Sequence, residues 1–429
     1  MKQPIRTLKI NILANYLAMG IVAVAPILAL PWYLALLGPK IFGLVAFIMM
    51  LQTLLGLFDA GMSQALVREV VVRLNFKERG RHSTAALLFG FERIYWLFAL
   101  CACGVTLLFA DNIARSWLKL EDSTTELGRL AVYGGATIFA TQFPGFLYRS
   151  VMVGAQAQVK LSGLTFGGAL LRHLGGVLVV TIWPTLTAYL IWQASVSLLE
   201  TLARAKFAWA SVGVKRRKSK WDPKELHSVW RSIMGMSGAI WLGAITLQMD
   251  KIVLSQSVSI EQFGYYVIAA NIGVGVLQLI YPLLQAILPR AIELQKNSVA
   301  SRSLYLKAYR LIGIIIAMGV VIFSLTGEWL LHYWLSDYHI VDTIYPILAI
   351  LLIGTALNAI YTIGYINWIA NEKIYRIFQV NALGLALSVA LIPPLVNWYG
   401  TIGAAFGWVA TNLIGFIISL EWLIRKKNV

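Results

Sequence analysis

The chain has 429 residues, 59% hydrophobic and 13% charged, with a mean hydropathy of +0.73 and a net charge of +17. A soluble protein carries about 25% charged residues, so this composition excludes a soluble enzyme and a disordered chain. It also excludes a transmembrane β-barrel, whose strands alternate polar and apolar residues. An all-α polytopic membrane protein remains, since in lipid the backbone must bond to itself.

Apolar runs of about 20 residues, enough to span a bilayer, divide the chain into roughly twelve helices. In chain order the predicted spans are 11–35, 41–60, 84–110, 127–148, 162–183, 185–208, 233–256, 263–288, 306–326, 343–367, 377–396 and 401–424. Lys2, Arg6 and Lys9 ahead of the first span imitate a signal peptide. The run is too long for one and no cleavage site follows Pro31, so the first helix reads as uncleaved. Between the second and third spans, residues 62–81 place Leu66, Val67, Val70, Val71 and Leu74 on one face with Arg68, Glu69, Arg73 and Lys77 interleaved. That pattern predicts a basic amphipathic helix on the inner leaflet. Cys101 and Cys103 share the third span and read as small packing residues, not a bridge.

The largest polar interruption covers 211–231 and includes Lys215-Arg216-Arg217-Lys218, Lys220 and Lys224. It separates an N-terminal lobe, 1–210, from a C-terminal lobe, 232–429, each with six predicted helices. Weak internal similarity supports two related halves. Lys40-Ile41-Phe42-Gly43 resembles Gln262-Phe263-Gly264 at the start of the eighth span, and Val153-Gly154-Ala155-Gln156 resembles Trp368-Ile369-Ala370-Asn371. An even helix number per half makes this a parallel repeat about an axis along the membrane normal.

The positive charge sits on alternate connections: Arg68 to Arg81, Arg149 and Lys160, the 211–231 linker, Arg290 to Arg310, Lys373 and Arg376, and Arg425 to Lys427. The opposite connections carry Asp111, Glu121, Asp122, Glu126, Glu328, Asp337 and Asp342. By the positive-inside rule both termini are cytoplasmic, and this placement points to a bilayer, not to nucleic acid. Trp32, Trp117, Trp183, Trp329 and Trp398 fall near the outer helix ends, where interfacial tryptophans belong. The outer connections are short, which argues against a membrane polymerase or glycosyltransferase with a folded outer loop.

Charges near a helix centre cost roughly 2.5–3.5 kcal/mol to insert and mark partners or wet cavities. Glu92 and Arg93, Arg172 and His173, Glu200 and Arg204, and Asp250 and Lys251 all lie inside predicted spans, and Asp59 ends the second. Glu200 and Arg204 are spaced for an intrahelical pair. Glu92 with Arg93, and Asp250 with Lys251, are neighbours about 100° apart on a helix and are expected to reach different partners. Arg172 has no acid on its own helix. It reads either as a ligand for phosphate oxygens, which a guanidinium grips with two donors, or as the partner of Glu92 in a salt bridge. Arg93 and Lys251 are further candidate cations, His173 reads as a packing residue, and Asp250 is the best carboxylate for ion or proton coupling. Glu92, Asp59 and Glu200 are coupling or structural carboxylates. No nucleotide-binding run, metal pattern or catalytic constellation is present, so no cofactor, metal or catalytic residue is expected.

Two stretches carry a resemblance. Leu37-Gly38-Pro39-Lys40-Ile41-Phe42-Gly43 with Phe58-Asp59-Ala60-Gly61-Met62-Ser63-Gln64-Ala65-Leu66-Val67-Arg68-Glu69, and Asp250-Lys251-Ile252-Val253-Leu254-Ser255 with Phe263-Gly264-Tyr265-Tyr266, resemble bacterial polysaccharide exporters of the Wzx type. Those exporters share a superfamily with multidrug extruders and lipid II flippases. The resemblance implies a MATE-like fold of two six-helix lobes around a central cavity. It implies export of an undecaprenyl-pyrophosphate-linked oligosaccharide, such as an O-antigen unit, across a bacterial inner membrane. It also implies basic residues holding the pyrophosphate, for which Arg93, Arg172 and Lys251 are best suited. Proton or Na+ coupling, and company with a polymerase and chain-length proteins, stay open. The competing readings are a cation-coupled drug extruder of the same fold and a membrane-embedded polymerase or glycosyltransferase.

Overall fold

A computed structural model describes residues 5–59, 61–220, 222, 223, 227, 229, 241–295 and 297–421. Lys2, Lys224, Lys296, Arg425 to Lys427 and the opening of the span predicted at 233–256 lie outside them. The regular elements are all helical, as the composition requires. The chain forms two compact units, Met1–Trp241 and Leu242–Val429.

The first unit runs α1 (Ile5–Gly56), α2 (Met62–Leu74), α3 (Lys77–Leu108), α4 (Asp122–Gln142), α5 (Pro144–Gly154), α6 (Gln158–Leu170), α7 (Gly176–Ile182) and α8 (Leu186–Val212). The second holds α9 (Met249–Ser257), α10 (Ile260–Glu293), α11 (Ser298–Leu335), α12 (Tyr338–Ala370) and α13 (Ile374–Ser419). Among the described residues, seven helices are long and apolar enough to cross a membrane.

Those seven relate to the predicted spans through identifiable local chemistry. Gly38 breaks α1 at φ 79°, where the first two spans are expected to meet, and Gly400 breaks α13 at φ 59°, between the last two. Only glycine takes such values without strain. The span predicted at 127–148 is divided at Phe143-Pro144, the proline opening α5 at a position where its missing N–H costs nothing. The span at 185–208 matches α8, whose apolar run is diluted by Gln193, Ser195, Ser197 and Glu200.

The surface is apolar because lipid is the solvent. Ile314, Met318, Val321 and Leu325 of α11 are all more than half exposed. Trp32, Trp117, Trp183, Trp329 and Trp398 are exposed, between 37% and 74%, so none is a core residue and all can sit at an interface. Helix α2 packs part of its predicted apolar stripe against protein. Leu66 and Val70 face protein, packed in the core that includes Leu147 and Val151 of α5, while Val71, Val72 and Phe76 point outward. The apolar stripe is drawn inward because Gly154 of α5 leaves room: a Cβ there would lie 2.7 Å from that of Val70.

Each unit repeats one device. After α5, Ala157 N–H donates to Met152 O (2.8 Å) and Gln156 N–H to Val153 O (3.0 Å), with Gln156 at φ 58°. After α12, Lys373 N–H donates to Trp368 O (2.8 Å) and Glu372 N–H to Ile369 O (3.1 Å), with Glu372 at φ 56°. Both are Schellman closures, 216 positions apart (372 − 156).

Candidate functional site

The strongest concentration of charge inside the first unit is built where α6 meets α8. The α-helical ladder of α6 gives way to a π-helical turn, Leu171–Gly175, before resuming in α7. A wider turn frees carbonyls, and side chains claim them. Trp192 Nε1 donates to Leu171 O (2.9 Å), Gln193 Nε2 to Arg172 O (3.2 Å), and the Tyr33 hydroxyl to His173 O (3.1 Å). Glycine permits two of these approaches. A Cβ at Gly176 would meet the Tyr33 hydroxyl at 2.2 Å, and one at Gly175 would meet the Trp192 ring at 2.5 Å. The backbone of Arg172 is thus pinned about 21 Å along the helix from Gln158, near the middle of the 25-residue span Gln158–Ile182.

From that position its guanidinium reaches a polar stripe on α8. Nη1 donates to Ser197 Oγ (2.9 Å) and Gln193 Oε1 (3.4 Å), and Nη2 to Glu200 Oε2 (3.0 Å). The other carboxylate oxygen of Glu200 accepts from Arg204 Nη2. One acid therefore serves two guanidinium groups, with side chains of Arg172, Glu200 and Arg204 only 12–19% exposed. The helices close tightly around it: a Cβ at Gly168 would lie 2.9 Å from Glu200 Cδ, and one at Gly145 the same distance from Thr201 Oγ1.

Acceptors are short in this cluster. Arg204 Nε is buried without a hydrogen-bond partner. The charges of Arg149 and Arg172 both bear on Arg204, and that of Arg149 also on Asp59. Arg149 is exposed one turn beyond Gly145 on α5 and makes no ion pair among the described residues. The stripe Gln193, Ser197, Glu200, Arg204 follows steps of four, three and four residues. That spacing is legible in the sequence and would have identified the partner of Arg172. In the sequence Arg149 reads only as one of the cytoplasmic-side charges.

The other candidate residues have separate partners. Glu92, 4% exposed, accepts from the Tyr148 hydroxyl (2.6 Å) and from Arg216 Nε (2.9 Å). The expected alternative of an Arg172–Glu92 bridge is therefore corrected: α8 offers Arg172 an acid at the same depth, and the linker supplies a cation to Glu92. Arg93 is exposed and lies over the Phe89 ring, 4.3 Å from its centroid. Asp59 accepts from Ser63 Oγ and the Tyr95 hydroxyl, both at 2.6 Å.

In the second unit, Asp250 is buried and accepts from the Tyr266 hydroxyl at 2.7 Å. Lys251 Nζ lies 3.3 Å and 3.4 Å from the two oxygens of Asp250, so the expectation that these neighbours reach apart is also corrected. The reason is local. Residues 247 and 248 form a turn, not helix, and Lys251 Nζ bends back to the freed Leu247 carbonyl at 3.4 Å. A histidine–carboxylate group that the sequence does not announce occurs between α11 and α12. Glu328, His332 and Asp342 bring their ligand atoms within 4.8 Å of one another, with Glu328 and Asp342 exposed to solvent.

Comparison with known proteins gives a consistent family. A family model described as polysaccharide biosynthesis protein matches residues 34–340. A curated protein of Shigella flexneri, provisionally named an O-antigen transporter, is 21% identical over 401 residues, covering 91% of both chains. In fold, the chain is similar to a multidrug resistance MATE family transporter of the MOP superfamily in its inward-facing conformation. The TM-score is 0.75 at 15% identity, over 98% of this chain and 97% of that one. The lipid II flippase MurJ in its inward closed conformation matches with TM-score 0.75 at 14% identity, over 98% of this chain and 88% of that one.

Proposed function

Because the chain belongs to the family of polysaccharide biosynthesis proteins, we propose that it is a flippase for an undecaprenyl-pyrophosphate-linked oligosaccharide. The cargo is an O-antigen unit or a related polysaccharide repeat, moved from the cytoplasmic to the periplasmic leaflet of a bacterial inner membrane. Access alternates between the two leaflets, the six-helix lobes 1–210 and 232–429 are joined by the basic cytoplasmic linker 211–231, and both termini are cytoplasmic. The protein is a transporter, not an enzyme.

The observation that carries this reading is the cluster on α6 and α8. Two guanidinium groups at mid-span share one carboxylate, and a buried Nε lacks an acceptor. Ionised groups at that depth are costly and are kept where they handle cargo, and guanidinium is the side chain best matched to phosphate oxygens. A drug extruder for organic cations needs the opposite balance. Here Asp59, Glu92, Asp250 and Glu200 each already receive donors. A pyrophosphate leaving an inside-negative cell gains roughly 2.3 kcal/mol per charge per 100 mV, and an empty cationic site returns inward with the same field. The membrane potential thus favours both half-cycles.

The test is reconstitution. Purified protein in vesicles carrying a labelled lipid-linked oligosaccharide is assayed for passage of label to the leaflet protected from an added glycosidase, with and without an imposed potential. Transfer above protein-free vesicles, accelerated when the cargo moves toward the positive side, supports the proposal. Absence of transfer, with efflux of an organic cation dye from the same vesicles, would replace it with the drug extruder.

A further inference from the structure

The proposed flippase leaves one residue without a role. Glu200 is an acid at the centre of the group of cations assigned to an anionic cargo. A site meant only to attract pyrophosphate would be stronger without it. Yet Glu200 is placed as a phosphate would be: its two oxygens are divided between Arg172 Nη2 and Arg204 Nη2, spanning the guanidinium groups. Its surroundings keep Arg172 in place if it leaves. Arg172 retains Ser197 Oγ and Gln193 Oε1, and its backbone stays fixed by Gln193, Tyr33 and Trp192. Arg204 Nε holds a donor that no protein acceptor uses.

We infer that Glu200 is a built-in stand-in for the cargo's diphosphate: it occupies the Arg172–Arg204 seat when the transporter is empty, and the diphosphate displaces it from Arg172 during loading. This rests on the flippase reading and adds the exchange step to it. Two buried guanidinium groups with no counter-ion would repel each other and carry a heavy desolvation cost. An acid on a short flexible side chain removes that cost in the empty state. It also limits affinity, because the diphosphate must replace an existing charge-assisted pair instead of adding one. A carrier needs that limit, since a cargo bound without competition would not leave on the far side.

The inference has a sign that a merely structural salt bridge does not share. Neutralising Glu200 tightens diphosphate binding and slows turnover. Losing one charged hydrogen bond from the competing state corresponds to about tenfold or more in affinity. The experiment uses full-length protein in phosphatidylethanolamine–phosphatidylglycerol nanodiscs, titrated with farnesyl diphosphate and, in parallel, with farnesol. Wild type, Glu200→Gln and Glu200→Asp are compared, and transport is followed in vesicles.

The expected result is selective binding of the diphosphate by wild type, about tenfold tighter binding by the Gln variant with slower transport, and a smaller tightening by the Asp variant, which keeps the charge but loses one of the two guanidinium contacts. Wild-type binding with equal or weaker affinity in the Gln variant overturns the stand-in while leaving the flippase standing. No preference for diphosphate over farnesol in wild type overturns the head-group site and the stand-in together. If the Gln variant does not fold, the Asp variant decides. Its shorter arm cannot bridge both guanidinium groups, so tighter binding than wild type upholds the inference and unchanged or weaker binding overturns it.

Discussion

Removing the Arg216 side chain should expose how the linker is fastened. Glu92 has a side chain only 5% exposed and, among the described residues, one cationic partner, Arg216, whose own side chain is 62% exposed. Breaking a fully buried ion pair costs roughly 3–5 kcal/mol because a charge is stranded. The exposed half of this pair is screened by water, which brings the loss toward the ~1.5–3 kcal/mol of a hydrogen bond to a charged group. Arg216→Ala is therefore expected to lose about 2 kcal/mol. Glu92→Gln removes the stranded charge and keeps an acceptor for the Tyr148 hydroxyl, so the double variant should recover most of that loss. Denaturant unfolding of the detergent-solubilised protein, run as a double-mutant cycle, should give a coupling of at least about 1 kcal/mol. Purely additive losses would refute the reasoning, because they would mean that Arg216 does not act through Glu92.

Gly38→Ala, where nothing lies within 4 Å of the added Cβ, should cost about 1–3 kcal/mol from backbone strain alone, visible as a lower unfolding midpoint with transport intact. Gly168→Ala should do the reverse. Its Cβ would press on the Glu200 carboxylate at 2.9 Å, so transport in vesicles should fall by more than the change in thermal midpoint explains. In the second unit, Asn358 Nδ2 donates to Asn412 Oδ1 at 2.7 Å, and Asn412 in turn to Trp408 O at 2.8 Å. Replacing either asparagine by alanine should cost about 1 kcal/mol, and the pair of replacements should cost clearly less than the sum of the two.

Much of the architecture is legible from composition and breaks. Apolar runs mark the membrane helices, and Gly38 and Gly400 stand where the chain turns between adjacent spans. The charges inside those runs are equally visible. Their partners are less so, because a pairing between helices depends on how each is rotated, and apolar sequence constrains rotation weakly. Arg172 finds Glu200 because the π-helical turn at Leu171–Gly175 sets its direction, and no residue pattern announces that turn. Glu92 finds Arg216 across 124 positions of sequence, through a linker that reads only as a basic run. Lys251 returns to Asp250 because the chain is not helical at 247 and 248, whereas periodicity assumes an unbroken helix there. The stripe from Gln193 to Arg204 was the one inter-helix clue available in the residues themselves.

The most direct test of the central claim is the sidedness of lipid-linked oligosaccharide in a strain lacking this protein, complemented with wild type, Arg172→Lys or Arg172→Ala. Lysine keeps the charge but cannot hold Ser197 and Glu200 at once as the guanidinium does. The account predicts undecaprenyl-linked units accumulating on the cytoplasmic face of the deletion strain, cleared by wild type, partly by the Lys variant and least by the Ala variant. Normal surface polysaccharide with no accumulated intermediate in the deletion strain, in a background with no second exporter, would contradict it.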